Sequence, residues 1–160
     1  MTRTRLDLLG QLLDSALRGR TPHSLLANLS DVTDAEWDER PAGGDRSIGE
    51  IVEHCVIAAE LWGDTLLAGN QRTYDALLAE RRRAGGVDPA GLQEALMAAH
   101  DRFFASMRSL DDAQLGDARR THYGTATTVQ RSIVVLIEHA HFHAGEIGVL
   151  RGLLQAGGEQ

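Results

Sequence analysis

The chain is 160 residues long, 42% hydrophobic and carries a formal net charge of −7. That is long enough for one buried core, and too acidic for non-specific nucleic-acid binding, which needs clustered positive charge. All 16 basic residues are arginine, and a single cysteine, Cys55, excludes an internal disulfide and fits a reducing compartment.

The N-terminus, Met1 to Arg5, runs straight into an amphipathic segment and lacks the apolar stretch and cleavage site of a signal peptide. Leu6, Leu9, Leu13, Ala16 and Leu17 recur at spacings of three and four, which predicts a first helix ending near Gly19. A short helical piece is expected over Ser24–Leu29 after Pro22. The stretch Ser30–Arg46, with Pro41-Ala42-Gly43-Gly44-Asp45, reads as a loop. Ser47 then caps a second helix and Glu50 completes a capping box. Its apolar stripe is Ile48, Ile51, Val52, Cys55, Ala58, Ala59 and Trp62, and it should reach about Ala68, before Gly69-Asn70.

Tyr74–Arg83 reads as a lesser helix whose Arg81-Arg82-Arg83 end precedes Gly85-Gly86. Basic side chains suit a helix C-terminus, so this run is read as a solvated end and not as a phosphate contact. Asp88-Pro89 opens a third long helix, with Leu92, Leu96, Ala99, Phe103, Met107 and Leu110 on its buried face. Asp111–Ala126 reads as a second loop. The last helix should run from about Thr128 to Leu154, with Val135, Leu136, His139, His143, Ile147, Leu150 and Leu154 inward and Gly157-Gly158 ending it. Four amphipathic helices around one core predict an all-α four-helix bundle in one domain, residues 1–160. The Ile133–Ile137 apolar run is too short to span a bilayer, so a cytoplasmic protein with no membrane partner is expected.

The chemistry concentrates in histidine. His139 and His143 are four residues apart, on one helical face and about one turn apart, a spacing that lets two imidazoles share an ion. His141 points to the other side. His54 interrupts an apolar face between Ile51, Ala58 and Leu61. Alone it would more often be a hydrogen-bonded core residue, but two further inward histidines shift the balance, since buried imidazoles each need partners and one divalent ion satisfies all three. A zincin helix requires Glu directly after the first histidine, and Ala140 stands there. A di-iron bundle requires Glu three residues before its histidines, and Ile51, Leu136 and Ala140 stand there. What remains is a mononuclear three-histidine site with open coordination.

Arg20–Leu29, Arg40-Pro41, Ser47–His54 and the closing segment Ile137–Arg151 together resemble the DinB/YfiT-like superfamily over nearly the whole chain. The closing segment matches the signature of two histidines followed by Ala/Arg-Gly-Gln-Ile, with Glu146 where many members have Gln. The resemblance implies an up-down-down-up bundle with a long crossing between its second and third helices, compatible with the Gly69–Asp88 connection. It also implies zinc, nickel or a similar ion on His54, His139 and His143. The best-understood members are thiol transferases using mycothiol, bacillithiol or related low-molecular-weight thiols, and related proteins isomerise maleylpyruvate.

These features point to a metal-dependent thiol S-transferase acting on a small-molecule electrophile, with the thiol as cosubstrate. A metal- or ligand-binding bundle without catalysis, or a thiol-dependent isomerase, fits the same residues. Glu146, His122 and Tyr123 are the candidates for orienting substrate or moving protons, the last two because site residues are common in loops such as theirs. Each also fits a structural or surface role. Cys55, a quarter-turn off the His54 face, is not expected to be a nucleophile. A homodimer is a candidate assembly on which the sequence is silent.

Overall fold

The computed structural model describes residues 3–69, 72–83 and 88–157. Within them the chain is mostly helical. Helix α1 spans Thr4–Arg18, and short helices α2 (Leu25–Leu29) and α3 (Asp34–Asp38) follow it. Then come α4 (Ile48–Leu66), α5 (Tyr74–Arg83) and α6 (Pro89–Arg108). A 3-10 turn at Asp112–Gly116 and a hairpin of β1 (Ala118–Arg120) with β2 (Ala126–Thr128) lead into α7, Val129–Gly157. The predicted stops at Asn70, Gly85-Gly86 and Gly158 lie outside the described residues.

The start of α4 matters most for the site, because His54 stands on its second turn. The Ser47 hydroxyl accepts from the Glu50 amide at 3.3 Å and the Glu50 carboxylate accepts from the Ser47 amide at 2.9 Å, as the capping box predicts. The preceding stretch is not wholly loop. Thr33 and Glu36 form a second capping box that starts α3, and Trp37 of that helix is buried against α4 at Gly49. A Cβ at Gly49 would stand 2.8 Å from Trp37 Nε1, so only glycine permits the approach. The segment is too short to show helical periodicity, which is why it reads as loop.

The Asp111–Ala126 loop expectation is corrected in the same way. Asp111 caps the 3-10 turn, and the hairpin pairs Ala118 with Thr128 and Arg120 with Ala126 in antiparallel register. Buried Asp112 accepts from the Arg5 and Leu6 amides at 3.0 and 2.9 Å, placing a carboxylate on the otherwise unpaired N–H groups at the start of α1. Arg119 donates to the Leu66 carbonyl at 2.9 Å and closes the end of α4.

The core lies between α1, α4, α6 and α7, with α4 packed on α6 and α7, and α1 on α7 and α6. Leu13, Leu17, Ile51, Val52, Leu96, Phe103, Ile133 and Ile147 are among its fully buried members. Helix α5 sits on the outside of α4 through a separate small cluster of Leu77 with Ile57 and Leu61. By length and composition alone α7 is long and apolar enough to cross a membrane, beyond what the Ile133–Ile137 run predicts. Here Ile133, Leu136, Ala140, Ala144 and Ile147 of α7 are buried in the protein interior.

Among the buried polar side chains outside the predicted site is a histidine of α6. His100 on α6 is 1% exposed; its Nδ1–H donates to the Leu96 carbonyl at 3.0 Å and its Nε2 has no partner among the described residues. Burial lowers its pKa from 6.5 to about 4. The ring is thus neutral in the folded protein and takes up a proton on unfolding between those values. Its contribution to stability is full above pH 6.5 and is lost as pH falls toward 4. Thermal melts over this range should show a shallower acid decline for His100→Leu than for the wild type; parallel curves would exclude the effect.

Candidate metal centre

Helix α4 presents His54, and α7 presents His139 and His143 one turn apart, on facing surfaces of two packed helices. Each of the three can offer a ring nitrogen, and these atoms lie within 4.8 Å of one another. Ring centroids are 4.9 Å apart for His54 and His139, 4.9 Å for His54 and His143, and 4.3 Å for His139 and His143. His139 Nε2 is 2.9 Å from His54 Nε2 and 3.2 Å from His143 Nε2. Among the described residues this is the only cluster of three such donors.

Two of the rings are held from behind. His143 Nδ1 donates to the Glu146 carboxylate at 2.6 Å, and the other Glu146 oxygen accepts from Arg46 at 3.1 Å. His54 Nδ1 lies 3.3 Å from the Tyr74 hydroxyl of α5. With its proton on Nδ1, His143 turns a lone pair on Nε2 toward His139. A single hydrogen on His139 Nε2 can satisfy one of its two close contacts and not both. A divalent cation accepts all three lone pairs, so the donor set fits a metal ion of the kind imidazole binds.

The electrostatics agree. Burial, reinforced by repulsion from His143, lowers the pKa of His54 from 6.5 to about 4. Burial, with His143 and His54 adding to it, takes His139 to about 3. His143 is also lowered by burial, with Glu146 opposing. All three are therefore neutral at pH 7, the form that ligates metal. Cys55 is buried, and burial pushes its thiol pKa well up, with the Glu146 charge adding to this. It stays protonated and unreactive.

The other candidates are placed differently. Glu146 contacts a triad histidine directly. His122 and Tyr123 do not: they occupy the β1–β2 turn, where His122 meets Trp62 edge-on at 5.6 Å and Tyr123 is 74% exposed. Trp62 stands eight residues beyond His54 on α4, roughly 12 Å along the axis. Helix α7 begins at Val129, ten residues before His139. His141 is exposed and donates from Nδ1 to the His23 carbonyl at 2.9 Å. Tyr74 and Arg46 carry no motif, and their roles depend on contacts twenty and a hundred residues away.

A cleft of about 630 Å³ lies on the outer side of Glu146, walled by Arg46, Pro41 and the exposed α7 residues Phe142, Val149 and Leu153. A larger one, about 720 Å³ between α1 and α6, contains none of the histidines.

Residues 19–147 match the profile of the DinB superfamily. The chain belongs to that superfamily. Among solved structures it is similar to a crystal structure of a mutant mycothiol-dependent maleylpyruvate isomerase, at 16% identity and a TM-score of 0.69. The match covers 92% of this chain and 64% of that one, so this DinB-superfamily chain spans just under two thirds of the isomerase. At that identity the likeness speaks for the fold. No curated protein matches.

One divalent ion per chain is the expected metal content. Loading should raise the melting temperature, with about 2.7 kcal/mol of stabilisation at a free-metal concentration 100 times Kd. Elemental analysis and melts with and without chelator check this. His143→Ala should abolish the chelator-sensitive shift.

Proposed function

We propose that this DinB-superfamily protein is a metal-dependent S-transferase for a low-molecular-weight thiol of the mycothiol or bacillithiol type, acting on a small electrophile. The observation that carries the reading is the convergence of three neutral imidazole nitrogens from α4 and α7. His54, His139 and His143 would hold zinc or nickel, ions suited to imidazole ligands. A bound ion of this kind lowers the pKa of a coordinated thiol and supplies thiolate at neutral pH.

The protein's own residues do the rest. Burial keeps the ligands unprotonated. Arg46 and Glu146 are tied to each other and to His143, so neither stands as a free acid or base toward substrate. Cys55 is buried and protonated, so the nucleophilic sulfur comes from the cosubstrate. That sulfur forms the new S–C bond with its own electron pair, and the leaving group departs with the pair of the bond that breaks. A cytoplasmic location, where such thiols are kept reduced, suits this chemistry.

We also assign the bundle up-down-down-up order as a single DinB-like domain. Arg3 reaching the Arg108 carbonyl and Arg18 pairing with Asp101 support antiparallel α1 and α6. Arg46 with Glu146 at one end and Arg119 with Leu66 at the other support antiparallel α4 and α7, and Arg102 pairing with Glu60, late in both helices, supports parallel α4 and α6.

A second reading is a thiol-dependent isomerase, favoured by the structural neighbour. Incubating metal-loaded protein with mycothiol or bacillithiol and a panel of electrophiles separates the readings. A transferase consumes thiol one-for-one with conjugate, an isomerase turns over without consuming it, and a binding module does neither. For the transferase, alanine at His54, His139 or His143 should reduce conjugation to background, while Cys55→Ala should leave it unchanged. Conjugation that persists in all three alanine variants would refute the assignment.

A further inference from the structure

We propose that Glu146, clamped by Arg46, is a positioning residue that fixes the Nδ1–H tautomer of His143 and so aims its Nε2 at the metal. This rests on the metal reading above, but concerns a carboxylate behind the ligand and not the ligands themselves.

The geometry is that of a relay with each link occupied. The Arg46 guanidinium donates to one Glu146 oxygen at 3.1 Å. The other oxygen accepts from His143 Nδ1 at 2.6 Å. An acid on a solvated helix face would leave its oxygens to water. Here both are engaged, the side chain is one-quarter exposed, and the histidine it holds is almost fully buried. Glu146 follows His143 by three residues, so α7 itself sets the approach. Arg46 comes from outside the helix, immediately before the Ser47 cap of α4. The relay therefore joins the two helices that supply the ligands, and their register decides whether Arg46 meets the carboxylate.

A carboxylate on the far nitrogen of a metal-bound histidine orients the ring and raises its basicity. Losing such a partner characteristically weakens metal affinity by about 10–100-fold. A glutamine in place of Glu146 could accept the same hydrogen bond through its carbonyl oxygen, but would turn its NH₂ donors toward the donors of Arg46. It should therefore keep the tautomer and lose the clamp.

The test has two readouts on the full-length chain. Nitrogen-15 long-range NMR of the metal-free protein reports the His143 tautomer, and cobalt(II) titration reports affinity and ligand-field spectrum. Wild type should show Nδ1–H, and Glu146→Ala should lose it and bind cobalt about 10–100-fold more weakly. Glu146→Gln, isosteric and safe for folding, should retain the tautomer with a smaller loss of affinity. Arg46→Met should fall between wild type and Glu146→Ala, and add nothing in the Glu146→Ala background. An unchanged tautomer together with unchanged cobalt affinity in Glu146→Ala would overturn the relay while leaving the metal reading intact. A wild type that takes up no cobalt, yet shows a Glu146-dependent tautomer, would keep the relay and remove the metal.

Discussion

Everything in the site depends on the apposition of α4 and α7 with histidines on both facing surfaces. Burying three imidazoles is costly if they are charged, and little better if they are neutral without partners. Burial itself removes the first difficulty by holding His54 and His139 far below their usual pKa. It creates the second, since three Nε2 atoms then meet at about hydrogen-bond distance and one hydrogen on His139 Nε2 cannot satisfy both of its contacts. A shared cation resolves it, so the packing that forms the core also creates the demand for a ligand.

The surrounding elements hold that apposition in register. The Ser47–Glu50 box fixes where α4 begins, and Trp37 on Gly49 braces its first turn. His141, on the far side of α7 from the site, anchors that helix to the chain segment at His23. Arg119 on Leu66 and Arg46 on Glu146 tie α4 to the α7 side of the fold at both of its ends. Helix α5 adds Tyr74 behind His54 through contacts independent of the main core. The site is thus supported on rigid helices with a polar partner behind two of its three rings, the arrangement that makes ligand geometry reproducible.

The chain belongs to the DinB superfamily, and its local residues narrow how the proposed thiol chemistry would occur. Cys55 is too buried and too basic to act. His122 and Tyr123 belong to the β1–β2 turn, where His122 packs on Trp62. What stands at the centre is a set of three imidazoles that could hold a metal, with a carboxylate–arginine pair behind one of them, so in the proposed reaction the reactive groups come from the cosubstrate and substrate.

The four long helices, both predicted caps at Ser47 and Asp88, and the pairing of His139 with His143 were legible in the sequence, because each is a matter of spacing along one helix. The DinB resemblance lay in contiguous motifs for the same reason. Helix α3 and the 3-10 turn were not legible, since they are held by chain-distant contacts, Trp37 on Gly49 and Asp112 on the start of α1, and the hairpin's strands are only three residues long. His54 was a candidate whose inward neighbours could be named, but its meeting with His139 required two helices to pack in one register. The contacts of Arg46 and Tyr74, the buried neutrality of His100, and the placement of His122 against Trp62 were decided only by tertiary structure. They are properties of distances between chain-distant atoms and of desolvation, and neither quantity is written in local spacing.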